Sequence, residues 1–367
     1  MILIITLTLI VFLFWVYLNN RLIIKKRSPE TVPTSTMFNE QSKAGVRLRA
    51  LKKQIFSTWH DHGYYKKDKK ILTDKTNGTP IEKISVYDTS QEEFEQIYKN
   101  PGVPCMITGM ADDWPAMKTW SFENFKERFP KSKFIIANGD SKQLRYEYFY
   151  HYMNHKKHRR DDIPIYIFDS EFGNEHRDTK TLLDDYDVHE WFNEDFLAIL
   201  GEDHRPSFRW LIAGPKRTGS SFHVDPIGTA AWNTLIRGKK RWILFPPEAF
   251  SDESDIPPDP GASWFINEYP KYKDKYHIDV IQESGETLFL PSGWWHVTVN
   301  LQDSIAITQN FVTDANVKET QRTMINKRPK TYFKWVKLMG DRIQEDRTFD
   351  DVAYSSDVYS SSDSEND

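Results

Sequence analysis

The chain opens on an almost unbroken apolar run, MILIITLTLIVFLFWVYL, and turns polar only with NNRLIIKKR. Eighteen such residues are just long enough to span a bilayer as a helix. No small-residue cleavage site follows, so residues 1–18 read as an uncleaved, single-pass transmembrane anchor. Lys25, Lys26 and Arg27 come directly after it with no charged side chain before, which places the bulk of the chain in the cytosol.

Residues 19–82 are polar and lysine-rich, as in YYKKDKK and TDKTNGTP, and read as a linker with some helix. From Ile84 the texture changes, and residues 83–176 form the N-terminal part of a folded unit. VPCMITGM and PIYIFD have strand character, and SFENFKERF is an amphipathic helix with Ser121 as its cap. DFLAILG is a short helix ending at Gly201. From Phe208 the pattern is a series of strand-length apolar runs: FRWLIAG, SSFHVD, AWNTLIRG, KRWILFP, ETLFLP, WWHVTVNL and SIAITQNFV. Gly238 and the Pro-Ser-Gly of 291–293 supply turns between them. Many short strands with even turns predict a mainly β fold, a sandwich or jelly roll over residues 177–327, with flanking helices. A polar, Pro-rich insertion interrupts it between Glu248 and Val280. Residues 328–345 read as a basic C-terminal helix, and residues 346–367 as a disordered acidic, Ser-rich tail. No internal repeat is visible.

Composition sharpens this picture in three ways. Aromatic residues make up 14%, including 12 Trp, so a large core is well supplied. The single cysteine, Cys105, excludes an intramolecular disulfide and a cysteine-based zinc site, and its apolar neighbours make it a small buried hydrophobe. The formal charge of −4 is uneven: from Glu345 to Asp367 eight acids face one base, a net −7, which leaves +3 for the rest.

Two stretches carry the chemistry. GSSFHVDPIGTAAWNTLIRGKKRW places His223 and Asp225 two apart, and GETLFLPSGWWHVTVNL brings His296 just after a tight turn. A lone histidine on a strand is more often a satisfied core or surface residue, and H-x-D is common by chance. Together they say more. Residues two apart on a strand share a face, and a strand returning alongside can bring His296 to the same point. Two imidazoles and one carboxylate make the facial triad of non-haem Fe(II) oxygenases, with positions open for a co-substrate and O2. A zinc hydrolase uses similar ligands but needs a general base, and no H-E-x-x-H helix supplies one. A bound 2-oxoglutarate would need a cation for its far carboxylate, and RGKKRW offers Lys240, with Lys239 or Arg241 allowed by alternation. Asn233 also has an inward-facing position.

HVD, AWNTLIRGKKRWILFPP, GETLFLPSGWWH and IAITQNF resemble the JmjC-domain oxygenases dependent on Fe(II) and 2-oxoglutarate. They are most similar to the branch of bifunctional arginine demethylases and lysyl hydroxylases once called the phosphatidylserine receptor. The likeness runs from about Ile84 to Ile343, and DDIPIYIFDSEFG and the Ser/Asp-rich tail share it. It implies a double-stranded β-helix core of jelly-roll, cupin-like form. It implies His223, Asp225 and His296 as iron ligands, and Tyr166, Ser220, Asn233, Lys240 and Thr308 as the 2-oxoglutarate shell, which selects Lys240 over its neighbours. Asn310 matches a polar residue near the iron, assigned to the catalytic group. Ser220 stands where the family usually has threonine, with the hydroxyl kept.

The resemblance further implies hydroxylation of lysine or demethylation of N-methyl-arginine, with O2 as the second co-substrate and a Lys/Arg-rich protein as substrate. A homodimer through the C-terminal helices and a nuclear location belong to the same branch, although an apolar N-terminus departs from it. Asp252, Glu253, Asp255 and Asp259 of the insertion could form a lid for a basic peptide, or a solvated loop. HKKHRR (155–160) and KRPKTYFKWVK (327–337) could contact RNA, or be solvated faces. Two other readings are a membrane-anchored, non-catalytic binder of lipid or a partner, and an oxygenase acting on RNA or tRNA.

Overall fold

The computed structural model describes residues 62–137, 142–155, 160–250 and 261–343, all within one compact unit. Twelve strands are present among them: β1 (Glu82–Ser85), β2 (Cys105–Thr108), β3 (Lys133–Ile135), β4 (Gln143–Arg145), β5 (Ile167–Asp169), β6 (Arg209–Gly214), β7 (Ala230–Arg237), β8 (Lys239–Phe245), β9 (Ile278–Glu283), β10 (Thr287–Leu290), β11 (Trp295–Asn300) and β12 (Ser304–Phe311). The major sheet has seven strands in the order β1-β2-β10-β7-β12-β6-β5. The minor sheet has three, β11-β8-β9, and β3 and β4 pair as a separate hairpin. All pairs are antiparallel except β1 with β2. Two facing antiparallel sheets are the architecture expected of a jelly roll.

The turn from β7 to β8 carries the chain from the major to the minor sheet through Gly238. Its φ is +90°, and a Cβ there would lie 2.5 Å from the Asp303 carbonyl oxygen, so only glycine fits. Alternation along β8 and β11 then sorts side chains to two buried faces. Trp242 and Leu244 pack inward with Met106, Leu288 and Leu290 of the major sheet. Ile243, Phe245, Trp295, Val297 and Val299 point outward into a second cluster. That cluster is covered by α1 (Gly261–Asn267), whose Trp264 stacks on Phe222 at 5.4 Å, and Phe222 stacks in turn on Trp295 at 5.6 Å. Arg241 also faces this side, held by a two-pronged pair with Asp279 at 2.8 and 2.6 Å. Asp279 accepts a further bond from the Asn77 backbone, which ties the segment before β1 to the minor sheet.

At the other end, α2 (Val317–Lys327) and α3 (Pro329–Met339) pack Met324, Tyr332 and Trp335 against Leu197 and Leu200. The helix expected over SFENFKERF runs from Phe122 to Arg128, and Ser121 caps it by accepting from the Asn124 N–H at 3.0 Å. Phe196–Leu200 is a 3-10 helix ending at Gly201, and Cys105 is fully buried.

Three expectations are corrected. The transmembrane helix is not part of this fold: among the described residues no helix is long and apolar enough to cross a membrane, and residues 1–18 lie outside those described. SSFHVD is not a regular strand. Only His223 pairs, in a single bridge to His296, and Asp225 begins a 3-10 turn at Pro226–Gly228. Proline there removes the N–H that a continuing strand would need. Ile278–Glu283, expected as the end of an insertion and the residues after it, is strand β9 instead. Just before it the Tyr269 hydroxyl bonds to His277 Nε2 at 3.1 Å and to Asp279 at 3.2 Å, while 251–260, with the four acids noted above, lie outside the described residues. Residues 19–61, 156–159 of the first basic run and the tail 346–367 lie outside them as well.

Asp279→Ala would strand a buried guanidinium whose side chain is only 3% exposed. We expect a loss of about 3–5 kcal/mol, the scale for breaking a buried pair by removing one partner. Urea unfolding of the variant against the wild type checks this.

Candidate metal and co-substrate site

Between the sheets lies a cavity of 260 Å³. Its walls are the inward residues of β7, β12 and β6 on one side and of β8 and β11 on the other. At one end His223, Asp225 and His296 converge, with ligand atoms all within 4.8 Å of one another. Among the described residues they are the one such group of three. His223 and His296 exchange backbone bonds, N–H to O at 3.0 and 2.8 Å, and their rings stand 4.1 Å apart.

The donor set fits a metal ion. Each imidazole donates Nδ1–H to the carbonyl two residues earlier, Ser221 at 2.7 Å and Trp294 at 3.0 Å. A carbonyl can only accept, so the proton sits on Nδ1 and the lone pair on Nε2. Both Nε2 atoms face Asp225 Oδ1, at 3.9 and 3.8 Å. These distances are too long for hydrogen bonds and leave room for an ion between them. Burial, and then the neighbouring His223, hold His296 well below its ordinary pKa, in the neutral form that binds metal. Burial pushes the Asp225 carboxyl up, opposed by His223 and by a hydrogen bond from Asn310. Asn310 also donates to Thr229 Oγ1 at 2.7 Å, and so ties Asp225 to the turn that carries it.

The other end of the cavity is built around Lys240. It is 3% exposed, and its one hydrogen bond is a long one, 3.4 Å to Asn233 Oδ1. Burial alone brings its pKa from 10.5 to about 7. The flanking cations go elsewhere: Lys239 pairs with Glu283 at 2.9 Å on the rim, and Arg241 with Asp279 on the outer face. A buried ammonium with no carboxylate beside it is the signature of a place for an anion.

Every residue expected from the sequence lines this cavity: Tyr166, Ser220, Asn233, Lys240, Thr308 and Asn310, besides the three metal-ligand candidates. Thr308 donates to the Trp232 carbonyl at 2.7 Å, and Ser220 Oγ lies 3.1 Å from Thr298 Oγ1. Burial pushes the Tyr166 phenol up, so it stays neutral. Gly219 lets the loop close on β11, since a Cβ there would fall 2.0 Å from the Thr298 carbonyl oxygen. Sequence reasoning missed Thr298, Asn300 and Trp242. The signal was available, because His296, Thr298 and Asn300 alternate along β11, as Lys240 and Trp242 do along β8.

A wider groove of 620 Å³ shares Phe168, Trp210, Pro226 and Asn310 with the cavity and forms its mouth. Glu202 at this groove binds Arg209 through both carboxylate oxygens, at 2.9 and 2.7 Å. Glu171 and Asp203 add two more acids to the lining, and Arg205 and Arg328 two more bases.

Fold and site together define a two-sheet barrel enclosing a two-histidine, one-carboxylate centre. The chain belongs to the family described as the cupin-like domain, whose model matches residues 90–316. It is 36% identical over 281 residues to the bifunctional arginine demethylase and lysyl-hydroxylase psr-1 of Caenorhabditis elegans, a match covering 72% of this chain and 69% of that one. It is 35% identical to the arginine-specific demethylase JMJ22 of Arabidopsis thaliana, over 72% of this chain and 51% of the relative. The 2-oxoglutarate and iron-dependent oxygenase JMJD4 of Gallus gallus is 28% identical, over 65% and 61%.

Titrating the metal-free chain with Mn(II) should show a single binding site and a higher melting temperature. His296→Ala, which removes one of three ligands, should bind at least about 100-fold more weakly, in line with the cost of losing a metal ligand or its support. Calorimetry and a thermal melt check both.

Proposed function

We propose that the chain is an Fe(II)- and 2-oxoglutarate-dependent dioxygenase acting on protein side chains, by hydroxylating lysine or removing N-methyl groups from arginine. One observation carries the reading: a three-ligand centre and a buried ammonium with no carboxylate partner share a single cavity. The cupin-like family and the names of the relatives support it.

In this reading His223 Nε2, an Asp225 oxygen and His296 Nε2 hold the iron. The iron, when bound, supplies oxygen activation coupled to oxidative decarboxylation of 2-oxoglutarate. Lys240 receives the far carboxylate of 2-oxoglutarate as a charge-assisted partner, and Asn233 keeps the ammonium from turning away. Tyr166 and Thr308 present hydroxyls to the same space, and Trp242 and Leu290 keep it dry. Asn310 steadies Asp225 where the two spaces meet. The substrate side chain enters through the wider groove, past Phe168 and Trp210, in a lining of mixed charge that holds Glu171, paired with Arg177 at 3.6 Å, and Asp203 together with Arg205 and Arg328.

The test is turnover. The full chain, given Fe(II), 2-oxoglutarate and peptides carrying lysine or methyl-arginine, should release succinate as the peptide gains one oxygen or loses one methyl. His296→Ala should do neither. Succinate release without any peptide change, under all conditions, would move the substrate away from protein.

Lys240 also sets a pH dependence. Below about 7 the folded lysine already carries its proton. Above that, each 2-oxoglutarate bound must bring a proton with it, so affinity falls by about tenfold per pH unit. Lys240→Met should weaken 2-oxoglutarate by about 100-fold or more, the scale for removing one partner of a buried pair. The same variant should melt higher than the wild type without ligand. The depressed folded pKa means the unfolded chain binds the extra proton between about 7 and 10.5, so the lysine's cost to stability is greatest below 7 and fades as pH rises. Melting curves across that range check the sign.

A further inference from the structure

Asn300 ends β11, and the register places it directly opposite Lys240 on β8. Directly opposed residues share a face of the sheet, and both line the cavity. The Asn300 side chain is 2% exposed, and its orientation is fixed by its neighbours. Thr218 Oγ1 donates its proton to the Pro215 carbonyl at 2.6 Å. It can therefore only accept from Asn300, and it takes Nδ2–H at 2.9 Å. The backbone locks the arrangement, since Asn300 N–H donates to the Thr218 carbonyl at 2.7 Å and Arg217 N–H to the Asn300 carbonyl at 2.8 Å. Asn300 Oδ1 is the atom left over, and it is buried without a hydrogen-bond partner.

A buried amide oxygen without a donor is costly, and native proteins keep few of them. Opposite it stands an ammonium with three N–H groups and one long bond, to Asn233. The other polar groups around Lys240 do not compete for the role. Tyr166, Ser220 and Thr308 carry hydroxyls, and Thr308 already donates to Trp232. The titratable groups that share the cavity are Tyr166, His223, Asp225 and His296, and the last three meet at its other end. Lys239 and Arg241 turn away to Glu283 and Asp279. On β9 the cross-strand neighbour of Lys240 is Gln282, whose amide is engaged by Trp242, Asn233 and Glu286.

We propose that Asn300 is a positioning residue for the co-substrate: its side-chain oxygen accepts one N–H of the Lys240 ammonium whenever the lysine is charged, before and after 2-oxoglutarate binds. Asn233 takes the second N–H, and the third is left aimed at the far carboxylate. Two neutral acceptors hold the charge without cancelling it, as a carboxylate in either place would. The inference rests on the oxygenase reading above.

The experiment measures 2-oxoglutarate binding to the full chain loaded with Mn(II) instead of iron, by calorimetry from mildly acidic to mildly alkaline pH, without turnover. In Asn300→Ala we expect about tenfold weaker binding at neutral pH, the scale of one lost hydrogen bond to a charged group. The alkaline fall in affinity should also begin at lower pH, because the ammonium has lost an acceptor. Mn(II) affinity should be unchanged. Asn300→Asp keeps the shape and lets Thr218 donate instead. It should bind 2-oxoglutarate weakly, through the added negative charge, but with the alkaline fall moved to higher pH. Shifts in opposite directions for the two variants support the inference. A uniform loss with unmoved pH profiles, or loss of Mn(II) binding alongside, is what a merely structural asparagine gives and overturns it. If the wild type binds 2-oxoglutarate and both variants match it, only this inference fails. If the wild type does not bind it at all, the oxygenase reading fails and the inference with it.

Discussion

Two backbone hydrogen bonds between His223 and His296 hold the centre of this molecule together. The segment from Gly219 to Asp225 makes no regular strand; it lies along β11 through that reciprocal pair and through flanking bonds from Thr298 N–H to the Ser220 carbonyl and Asn300 N–H to the Thr218 carbonyl. With the pair, β11 gains a neighbour on its free side, and two imidazoles from distant parts of the chain are set 4.1 Å apart. Each histidine repeats one local device, Nδ1–H to the carbonyl two residues earlier. The device fixes tautomer and ring direction together, so both Nε2 atoms are presented before any ion arrives. Asp225 then needs only the following proline turn, and the Asn310–Thr229 contact behind it, to complete the set.

The price of such an interior is that the minor sheet cannot be stabilised from its inner face alone. That face carries Lys240, His296, Thr298 and Asn300 around a cavity, where a well-packed protein would place aliphatic side chains. Packing moves to the outer face, where Trp264, Phe222 and Trp295 stack and Ile243, Phe245, Val297 and Val299 fill the space beneath them. Arg241 is part of this compensation. It interrupts the apolar face, but Asp279 neutralises it and binds the Asn77 backbone as well, so the pair closes one end of the sheet. The residues before β1 are thus part of the barrel's support.

Much of this was legible in the sequence. Period-two alternation and turn glycines gave most strands their place, and motif likeness selected Lys240 from three adjacent cations. The structure then showed why the other two are occupied: Glu283 and Asp279 lie on β9, a strand the sequence hid. IDVIQE follows a polar, proline-rich stretch and carries charges, so its burial comes from pairing with β8, which no local pattern displays. SSFHVD failed in the opposite sense. It has strand composition, yet only one residue pairs, because Pro226 stops the ladder just past the site. The metal-ligand candidates were readable because they sit in long motifs. Asn300 and Thr298 shared a face with His296 by alternation but were passed over, because a polar residue on an alternating strand means solvent in most proteins and a cavity in this one. The apolar N-terminal run was given a membrane role from its length, the missing cleavage site and the basic residues after it; it lies outside the described residues, and no described helix supports that role.

The two ends of the cavity are held by different means, and this bears on how each tolerates change. The metal end is fixed by backbone geometry, so its precision depends on the ladder between the two histidine segments and not on neighbouring side-chain volume. The co-substrate end is fixed by balance: a cation in a dry place that bonds to neutral Asn233 at 3.4 Å and whose strand, β8, lies opposite the one that carries the unpartnered oxygen of Asn300. Packing changes near the first end have to break a strand pair before they matter. At the second end a single added carboxylate, or a single lost amide, changes the charge state of Lys240 without moving the fold. Tuning of 2-oxoglutarate affinity is therefore available to this scaffold at the polar inner positions of β7, β8 and β11, while the iron-binding geometry is left intact.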